Sequence, residues 1–363
     1  MTDLLHKIAL TQIKGAGPVV TRALVSECGG VKEVFEADDA FLKSIPKVTD
    51  RVIESIRDPY LFERAEQELN FIEKNQVTPL FYLDDAFPKR LDFCADAPLL
   101  LYSRGNMNLN NRKIISMVGT RSSTAYGRDM CEKIIADLAS YNPLIVSGLA
   151  MGIDSHSHKA AVEHGLQTIG VLAHGVDSIY PPSSRAIAAK MLNNGGILSE
   201  FMSGTIPARE NFPTRNRIIA GMCDALIIVE SKKRGGSIIS AELAYGYNKD
   251  VFAIPGKATD SLSEGCNDLI KYQKAIMVTD GKDVAREMNW STPTKKSKQP
   301  ELFPELSVEE KKVLETIKNK RQVGIDDLSD FTGFTTSKLA QLLLQLEFNG
   351  LVRVLPGKMF ESA

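Results

Sequence analysis

Short runs of β-branched and other apolar residues alternate with helical stretches between about residues 113 and 283, and this alternation constrains the fold more than any other feature. Helices are predicted near 125–140, 154–163, 184–192, 215–222 and 240–247. Buried strands are predicted at 114–118, 144–146, 168–172, 197–198, 226–229 and 251–254. Alternation of this kind predicts an α/β, Rossmann-like domain with a doubly wound parallel sheet.

Residues 1–75 are helical in pattern and are expected to form a separate domain of the helix-hairpin-helix (SAM-like) kind. The run 13–18, Ile-Lys-Gly-Ala-Gly-Pro, precedes an amphipathic helix and is a helix-hairpin-helix signature. Its glycines would either let backbone amides approach a phosphate or make a tight turn between packed helices. A second copy at 45–49 lacks the glycines, which favours the structural interpretation.

The C-terminal part has the element order of a winged helix. Residues 291–305 are rich in Thr, Pro, Lys and Gln and are predicted to be a linker, and a winged-helix domain is predicted over 306–363. The expected recognition helix, 335–349, has Lys338 as its positive charge and is crowded with leucines. This composition favours protein docking or packing over sequence-specific DNA reading, which needs phosphate contacts and base-reading polar groups.

Composition excludes several classes of protein. No apolar stretch approaches the roughly 20 residues of a membrane-spanning helix, and the N-terminus lacks the apolar run of a signal peptide, so we expect a cytoplasmic protein with no membrane partner. The five cysteines are widely spaced and never form a CxxC pair, which argues against disulfides and zinc. The formal net charge of −1 means that any nucleic-acid site is local.

Glycine-rich turns and cations follow several predicted strands. The first strand is followed by Gly119, Thr120 and Arg121, and the second by the turn 147–154, which begins with Ser147 and Gly148. Parallel strands bring their carboxyl ends to one edge of the sheet, where unpaired amides at helix N-termini bind anions. We therefore expect these turns to hold phosphate, with Arg121 making a charge-assisted contact.

Three further segments supply positive charge to the same edge. Arg215 and Arg217 are expected at a helix N-terminus, which is unfavourable for a cation unless an anion binds there, or unless they pair with Glu200, Glu210 or Glu230. The loop 232–237, Lys-Lys-Arg-Gly-Gly-Ser, is either a solvated face or part of the site. Pro255, Gly256 and Lys257 follow the last core strand.

The sequence offers no evident catalytic residue, metal site or cofactor site. Asp154, His156, His158 and His164 are metal-ligand types, but Asp154 and His158 lie one helical turn apart and can pair with each other. Walker, zincin and Gly-x-Ser-x-Gly motifs are absent. We therefore expect a non-catalytic protein that binds neither metal nor cofactor.

Several of these motifs together resemble the DNA-processing protein A (DprA, or Smf) family. The resemblance lies in Val-Gly-Thr-Arg at 118–121, Ser-Gly-Leu-Ala-Met-Gly-Ile-Asp at 147–154 with His158, Tyr-Pro-Pro at 180–182, Phe-Pro-Thr-Arg-Asn-Arg-Ile-Ile-Ala-Gly at 212–221, and Phe-Ala-Ile-Pro-Gly at 252–256. It implies that residues 76–290 form an extended Rossmann-like domain that binds single-stranded DNA during natural transformation. It further implies a homodimer that helps to load the RecA recombinase in DNA recombination.

The resemblance also assigns the DNA-binding residues. They would be Gly119, Arg121, Ser147, Gly148, Arg215, Arg217, Arg234 and Lys257, with the loop 206–211 and its Arg209 at the border. The sequence departs from the family pattern at 235–241, where members commonly have Ser-Gly-Ser-Leu-Ile-Thr-Ala, and at 155–157, where they have an alanine-rich turn. Neither departure removes a positive charge.

Two other classes of function remain as alternatives. A nucleotide phosphoribohydrolase on a similar Rossmann-like core would use Gly235, Gly236 and Glu242, but Ile238 and Ile239 replace the second Gly-Thr pair of that motif. Such an enzyme would release free base from a nucleoside monophosphate. A transcription regulator would require duplex sequence preference in the isolated winged helix, which its poorly charged helix disfavours.

Overall fold

The computed structural model describes residues 2–291, 306–320, 322–355 and 359–362. The chain divides into two compact units, residues 1–292 and 293–363. Of the predicted linker, 291–305, all but Ser291 lies outside the described residues, and so do residues 356–358 of the predicted winged-helix domain. Within the described residues, no helix is both long enough and apolar enough to cross a membrane.

Helices form the first part of the larger unit, as the sequence predicts. They are α1 (Thr2–Leu10), α2 (Pro18–Cys28), α3 (Val31–Glu36), α4 (Asp39–Ser44), α5 (Asp50–Ile56) and α6 (Tyr60–Asn75). The turn before α2 contains Gly15 at φ 84°, and Pro18 occupies the first turn of the helix, where a missing N–H costs nothing. The Lys14 amide donates a hydrogen bond to Ser55 Oγ of α5 at 2.8 Å, so this amide of the glycine turn is used within the protein.

A mixed sheet follows, and its strands confirm the predicted α/β class. In the described part of the chain it has nine strands, in the order β1-β2-β6-β5-β4-β3-β7-β8-β9. All strands from β3 onward are parallel, whereas β1 and β2 are antiparallel additions at one edge. The strands are β1 (Thr78–Phe81), β2 (Leu100–Asn106), β3 (Ile114–Val118), β4 (Leu144–Ser147), β5 (Thr168–Val171), β6 (Gly195–Ser199), β7 (Ala225–Ile228), β8 (Asp250–Ala253) and β9 (Ile276–Met277).

Helices cover both faces of this sheet, which makes it doubly wound. They are α7 (Ala125–Leu138), α8 (Ile153–Glu163), α9 (Arg185–Met191), α10 (Asn211–Met222), α11 (Gly236–Gly246), α12 (Glu264–Lys271) and α13 (Gly281–Glu287). On one face Ile134 and Leu138 pack against the strands, and on the other Ile218 and Ala244 do so. Helix α10 begins four residues earlier than the sequence predicted, so the predicted place of Arg215 and Arg217 at the helix N-terminus was wrong.

The helical segment shares its core with the sheet. Val34 and Ile72 belong to the same apolar cluster as Leu149, Leu172 and Met202. A buried carboxylate, Glu68 of α6, adds polar contacts across this boundary. It accepts hydrogen bonds from the Ser203 amide, the Ser203 hydroxyl and the Arg64 guanidinium. The helical segment, residues 2–75, is therefore joined to the sheet by a continuous core.

The smaller unit has winged-helix order. Its elements are α14 (Val308–Lys320), β10 (Gln322–Gly324), α15 (Ile325–Thr332), α16 (Thr336–Phe348), β11 (Val352–Leu355) and β12 (Met359–Ser362). Val313, Leu328, Leu339 and Phe360 contribute to its core. Lys338 on α16 pairs with Glu309 at 2.8 Å, so the one lysine of this helix has a carboxylate partner.

Candidate nucleic-acid interface

A cavity of about 700 Å³ lies at the carboxyl ends of β3 and β7, and we call it the rim cavity. The chain crosses from one side of β3 to the other between β6 and β7, so this is the topological switch point at which open α/β sheets bind ligands. Its lining includes residues 119–121, Arg209, Phe212, Lys232 and 234–237.

Four exposed cations line the rim cavity: Arg121, Arg209, Lys232 and Arg234. Within residues 2–291, none of the four forms an ion pair or donates a side-chain hydrogen bond to a protein group. The Arg121 guanidinium instead lies over the Phe212 ring, 5.1 Å from its centroid. Lys233, in the same loop, differs because it pairs with Glu264 and Asp268. The cavity therefore concentrates positive charge that protein carboxylates do not neutralise.

Helix α11 adds backbone donors to this charge. It begins at Gly236, and no side chain caps its first amides because the N-cap residue is Gly235. Gly235 to Ser237 line the cavity. The first amides of a helix lack intrahelical partners, and the helix dipole favours an anion there. The arrangement suits phosphate, which accepts hydrogen bonds from both amides and guanidinium groups.

Arg215 lines the rim cavity from a buried position, together with Asp154. Its side chain is buried, it donates to the Val171 carbonyl oxygen at 3.1 Å, and it faces Gly148. Burial lowers the pKa of Arg215 to about 10, and the nearby Asp154 carboxylate opposes that shift. Burial likewise raises the pKa of Asp154, against the influence of Arg215. These buried charges support the turn 147–154, because Asp154 accepts a hydrogen bond from the Gly148 amide at 3.1 Å.

Gly119 and Gly148 must be glycines because neighbouring side chains leave no room for a Cβ atom at either position. A Cβ atom on Gly148 would overlap Arg215 Nη1, and one on Gly119 would lie 2.5 Å from Ile153 Cγ1. Both approaches are far closer than packing allows. Ser147 is also buried, and its hydroxyl donates to the Met117 carbonyl oxygen at 2.6 Å. These three residues shape the turn from within.

Arg217 and Lys257 occupy different surroundings. Arg217 lines a second cavity, where it pairs with Glu200 at 2.5 Å and also donates to the Asp96 carbonyl oxygen. This is one of the ion pairs that the sequence left open for Arg217. Lys257 is exposed but is not part of the rim cavity lining. The structure thus brings Gly119, Arg121, Arg215 and Arg234 together in the rim cavity lining, and Arg217 and Lys257 are not among the lining residues.

A narrow side cleft opens beside Arg121 and was not expected from the sequence. Its walls include Met151, His174, Tyr180 and Phe212. His174 is buried, its Nδ1 lies 2.9 Å from the Gly175 carbonyl oxygen, and burial lowers its pKa, so the ring is neutral at neutral pH. The sequence signals for this cleft are the Tyr-Pro-Pro motif at 180–182 and the placement of His174 and Tyr180 after the carboxyl end of β5, on the same edge as the rim cavity.

Comparison with known proteins identifies the family. Residues 78–289 match the family model described as DNA recombination-mediator protein A, and residues 297–358 match the DprA winged helix domain. The chain belongs to the DNA-processing protein A family. The DprA protein of Streptococcus pneumoniae is 40% identical over 242 residues, which cover 66% of this chain and 85% of that protein. The Smf protein of Synechocystis is 28% identical over 394 residues, covering 98% of this chain and 97% of that protein.

Solved DprA structures agree with the fold. The X-ray structure of DprA from Streptococcus pneumoniae matches with a TM-score of 0.62 at 32% identity, covering 77% of this chain and 95% of that one. A Helicobacter pylori structure, titled for the unique single-stranded DNA binding mode of DNA processing protein A, matches with a TM-score of 0.53 at 28% identity. It covers 59% of this chain and 96% of that one. The predicted DprA membership and Rossmann-like fold are confirmed.

The phosphoribohydrolase alternative is not favoured. Glu242, the carboxylate that such an enzyme would need, lies on α11 with more than half of its side chain exposed, and it pairs with Lys274 at 3.7 Å. It is not among the residues that line the rim cavity. The carboxylate is therefore away from the place where a nucleotide phosphate would bind.

Proposed function

We propose that the protein is a non-catalytic mediator of recombination that holds single-stranded DNA in the rim cavity. The observation that supports this most directly is the convergence of Arg121, Arg209, Lys232 and Arg234, all free of carboxylate partners within residues 2–291, on the N-terminus of α11. The family described as a DNA recombination mediator and the Helicobacter pylori title point in the same direction. Phosphate binding of this type is independent of sequence.

The proposed roles of the site residues follow from their surroundings. Arg121 and Arg234 bind phosphates, and Arg209 and Lys232 join them. Gly119, Ser147, Gly148 and Arg215 keep the turns in place from below. The Phe212 ring offers a face on which a base can stack. DNA contacts by Arg217 and Lys257 stay predictions from the family resemblance.

The test is a salt series that compares oligo-dT with duplex DNA by fluorescence anisotropy. We expect tighter binding to the single strand, and we expect the affinity to fall steeply with salt because phosphate contacts release counterions. Arg121→Ala should weaken binding to all sequences alike, whereas Lys282→Ala, an exposed residue outside the cavity, serves as the matched control. Equal affinity of the Arg121→Ala variant and the unaltered protein would overturn the assignment.

We also propose that the protein forms a homodimer and helps to load RecA in the cytoplasm. Strand β9 is an edge strand with Ile276 and Met277 about half exposed, and an unpaired apolar edge invites pairing with a second copy. The family's description as a DNA recombination mediator supports a recombinase partner, and the family resemblance makes RecA the expected one. The five cysteines are all free thiols, as suits a reducing compartment. RecA loading is tested by strand-exchange assays on DNA coated with single-strand binding protein.

A further inference from the structure

A groove of about 350 Å³ lies beside α9, and it lies outside the site described above. Its floor is apolar and includes Val176, Ala188, Leu192 and Ile197, from the loop after β5, α9 and β6. Two arginines form part of its walls, Arg104 of β2 and Arg185 at the first position of α9. We call it the α9 groove.

The charge of the α9 groove suits a polyanion. Neither Arg104 nor Arg185 forms an ion pair or donates a side-chain hydrogen bond within residues 2–291, and Arg104 is partly buried. Asp177 is the carboxylate of the groove lining, and its Oδ1 already accepts a hydrogen bond from the Gly204 amide at 3.1 Å. Two cations therefore face one engaged carboxylate, and the apolar floor can accommodate bases or sugars between phosphates.

One loop, residues 172–181, separates the side cleft from the α9 groove. Tyr180 and Pro181 line the side cleft, and residues 177–179 line the groove. Other segments hold this loop in place, because the Gly175 amide donates to the Thr205 carbonyl oxygen at 3.1 Å and Ser199 Oγ donates to the His174 carbonyl oxygen at 2.6 Å. The loop is a fixed wall that belongs to both sites.

The distance between the two sites is short enough for a continuous strand to pass. Arg185 follows Tyr180 by five residues, so their Cα atoms are at most about 18 Å apart, a span that a few nucleotides cover. Tyr180 is 48% exposed and lies on the loop between the two sites. An exposed aromatic ring next to guanidinium groups is the combination that single strands use for stacking and phosphate contact.

We propose that a DNA strand held in the rim cavity continues over Tyr180 into the α9 groove, where Arg104 and Arg185 bind its next phosphates. This inference rests on the proposed function of the rim cavity and extends its binding site. Short strands fill the rim cavity alone, and longer strands fill both. The groove adds affinity and salt dependence only when the strand is long enough to reach it.

The experiment measures the affinity of two lengths of oligo-dT for the full chain, about 5 and about 15 nucleotides, with the short one measured by competition. For the Arg104→Ala/Arg185→Ala variant we expect unchanged binding of the short strand and about tenfold weaker binding of the long strand. The slope of log affinity against log salt for the long strand should become shallower by about 0.7 for each phosphate that the variant no longer binds. Lys190→Ala, exposed on the same helix but outside the groove, should match the unaltered protein at both lengths.

The outcomes separate this inference from the proposed function. If the double variant binds the long strand as tightly as the unaltered protein, or binds both lengths more weakly by the same factor, the groove is not an extension of the site and the inference is overturned. If Arg121→Ala weakens both lengths in the same assay, the proposed function stands whatever the groove does. If Arg121→Ala weakens neither, the proposed function itself fails.

Discussion

Two arginines of the DprA-like motifs, Arg121 and Arg217, illustrate how differently one side chain can be used. Arg121 is exposed and lies over the Phe212 ring, without a carboxylate partner in residues 2–291. Arg217 is 11% exposed and paired with Glu200. Burial raises the pKa of Glu200, and the Arg217 charge opposes that rise, so the carboxylate depends on this partner. The first arginine is available to a ligand, and the second stabilises the fold.

Arg121→Ala should therefore lower DNA affinity, whereas Arg217→Ala should lower stability. We expect Arg121→Ala to lower single-stranded DNA affinity about tenfold with little change in stability. Arg217→Ala leaves Glu200 partly buried without its partner and should cost about 3 kcal/mol of stability. Anisotropy titrations and urea unfolding measure the two effects. A variant of Arg217 that keeps its stability but loses DNA affinity would show that this residue contacts DNA after all.

Gly148→Ala should be strongly destabilising. The added methyl group would collide with the Arg215 guanidinium, which the Val171 carbonyl oxygen holds in place. We expect a loss of about 2 kcal/mol in the free energy of unfolding, together with weaker DNA binding because the turn must shift. The control is Gly246→Ala in α11, where a Cβ atom has nothing within 4 Å. Equal stability of the two variants would contradict the packing described here.

Sequence reasoning succeeded for residues whose position depends on topology alone. Gly119, Arg121 and Arg234 each follow the carboxyl end of a parallel strand, so the predicted strands were enough to place them at one edge. It did not distinguish Arg215 from Arg217. Residues two apart on a helix point to different sides, which explains why the two arginines lie in different cavities. The helical period was therefore enough to separate Arg215 from Arg217, although the sequence analysis did not use it for this purpose.

At the scale of elements, the loop before α11 presents three adjacent cations of which one is already paired. Lys232 and Arg234 line the rim cavity, and Lys233 is held by Glu264 and Asp268. We expect Lys232→Ala and Arg234→Ala each to make the salt dependence shallower by about 0.7, the contribution of one phosphate contact to a single strand. Lys233→Ala is the matched control and should leave the slope unchanged. If Lys232→Ala and Arg234→Ala both keep the slope of the unaltered protein, this loop is excluded from the interface.

Helix α8 buries a histidine that should make stability depend on pH. His158 is completely buried, its Nδ1 lies 2.7 Å from Thr168 Oγ1, and burial lowers its pKa to about 3 from the ordinary 6.5. Between these values the unfolded chain binds a proton that the folded chain does not. Stability should therefore fall as the pH drops below 6.5, by up to about 1.4 kcal/mol per pH unit.

The measurement is urea unfolding at pH 7.5 and pH 5 for the unaltered protein and for His158→Gln. The variant cannot gain this proton, so its stability should change less between the two pH values. His164→Gln, at a partly exposed position beside Glu132, is the control. An equal pH dependence of His158→Gln and the unaltered protein would show that another group dominates in this range.

The antiparallel edge of the sheet shows why an element can escape sequence reasoning. No strand is predicted from the sequence before residue 114, yet Pro79 lies within β1. An edge strand tolerates proline because half of its amides have no ladder partner. Pattern alone does not say whether a strand is central or at the edge. The four-residue error at the start of α10 has a similar cause, because Pro213 suits the first turn of a helix as well as a loop.

At the scale of the whole molecule, the exposed edge strand β9 predicts how two copies associate. Met277→Asp would place a charge at the unpaired edge and should convert the proposed dimer to a monomer. Light scattering after size-exclusion chromatography measures the mass. Leu83→Asp is the control, because Leu83 is exposed and distant in sequence from β9. If the unaltered protein is a monomer, the proposed dimer does not form. If the Met277→Asp variant is still a dimer, the two copies meet at another surface.

The order of the three parts of the chain could be predicted, but the boundary after residue 75 depends on packing that a sequence does not reveal. Helical and sheet residues share one apolar cluster, so the first 292 residues form one compact unit. The winged helix was predicted from element order, and the family model for its domain agrees. Its α16 exposes Leu344 and Phe348, apolar side chains of the kind that the predicted docking to a protein would use.

The cations of the rim cavity come from positions as distant as residues 121 and 234, and they meet only when the parallel sheet is complete. A chain still emerging from the ribosome, or one opened by local unfolding between β3 and β7, has the same charges dispersed along a flexible polymer. We therefore expect the proposed affinity for nucleic acid to be acquired late in biosynthesis, as a property of the finished tertiary structure. Polynucleotide should in turn slow proteolysis of this region by favouring the closed native state.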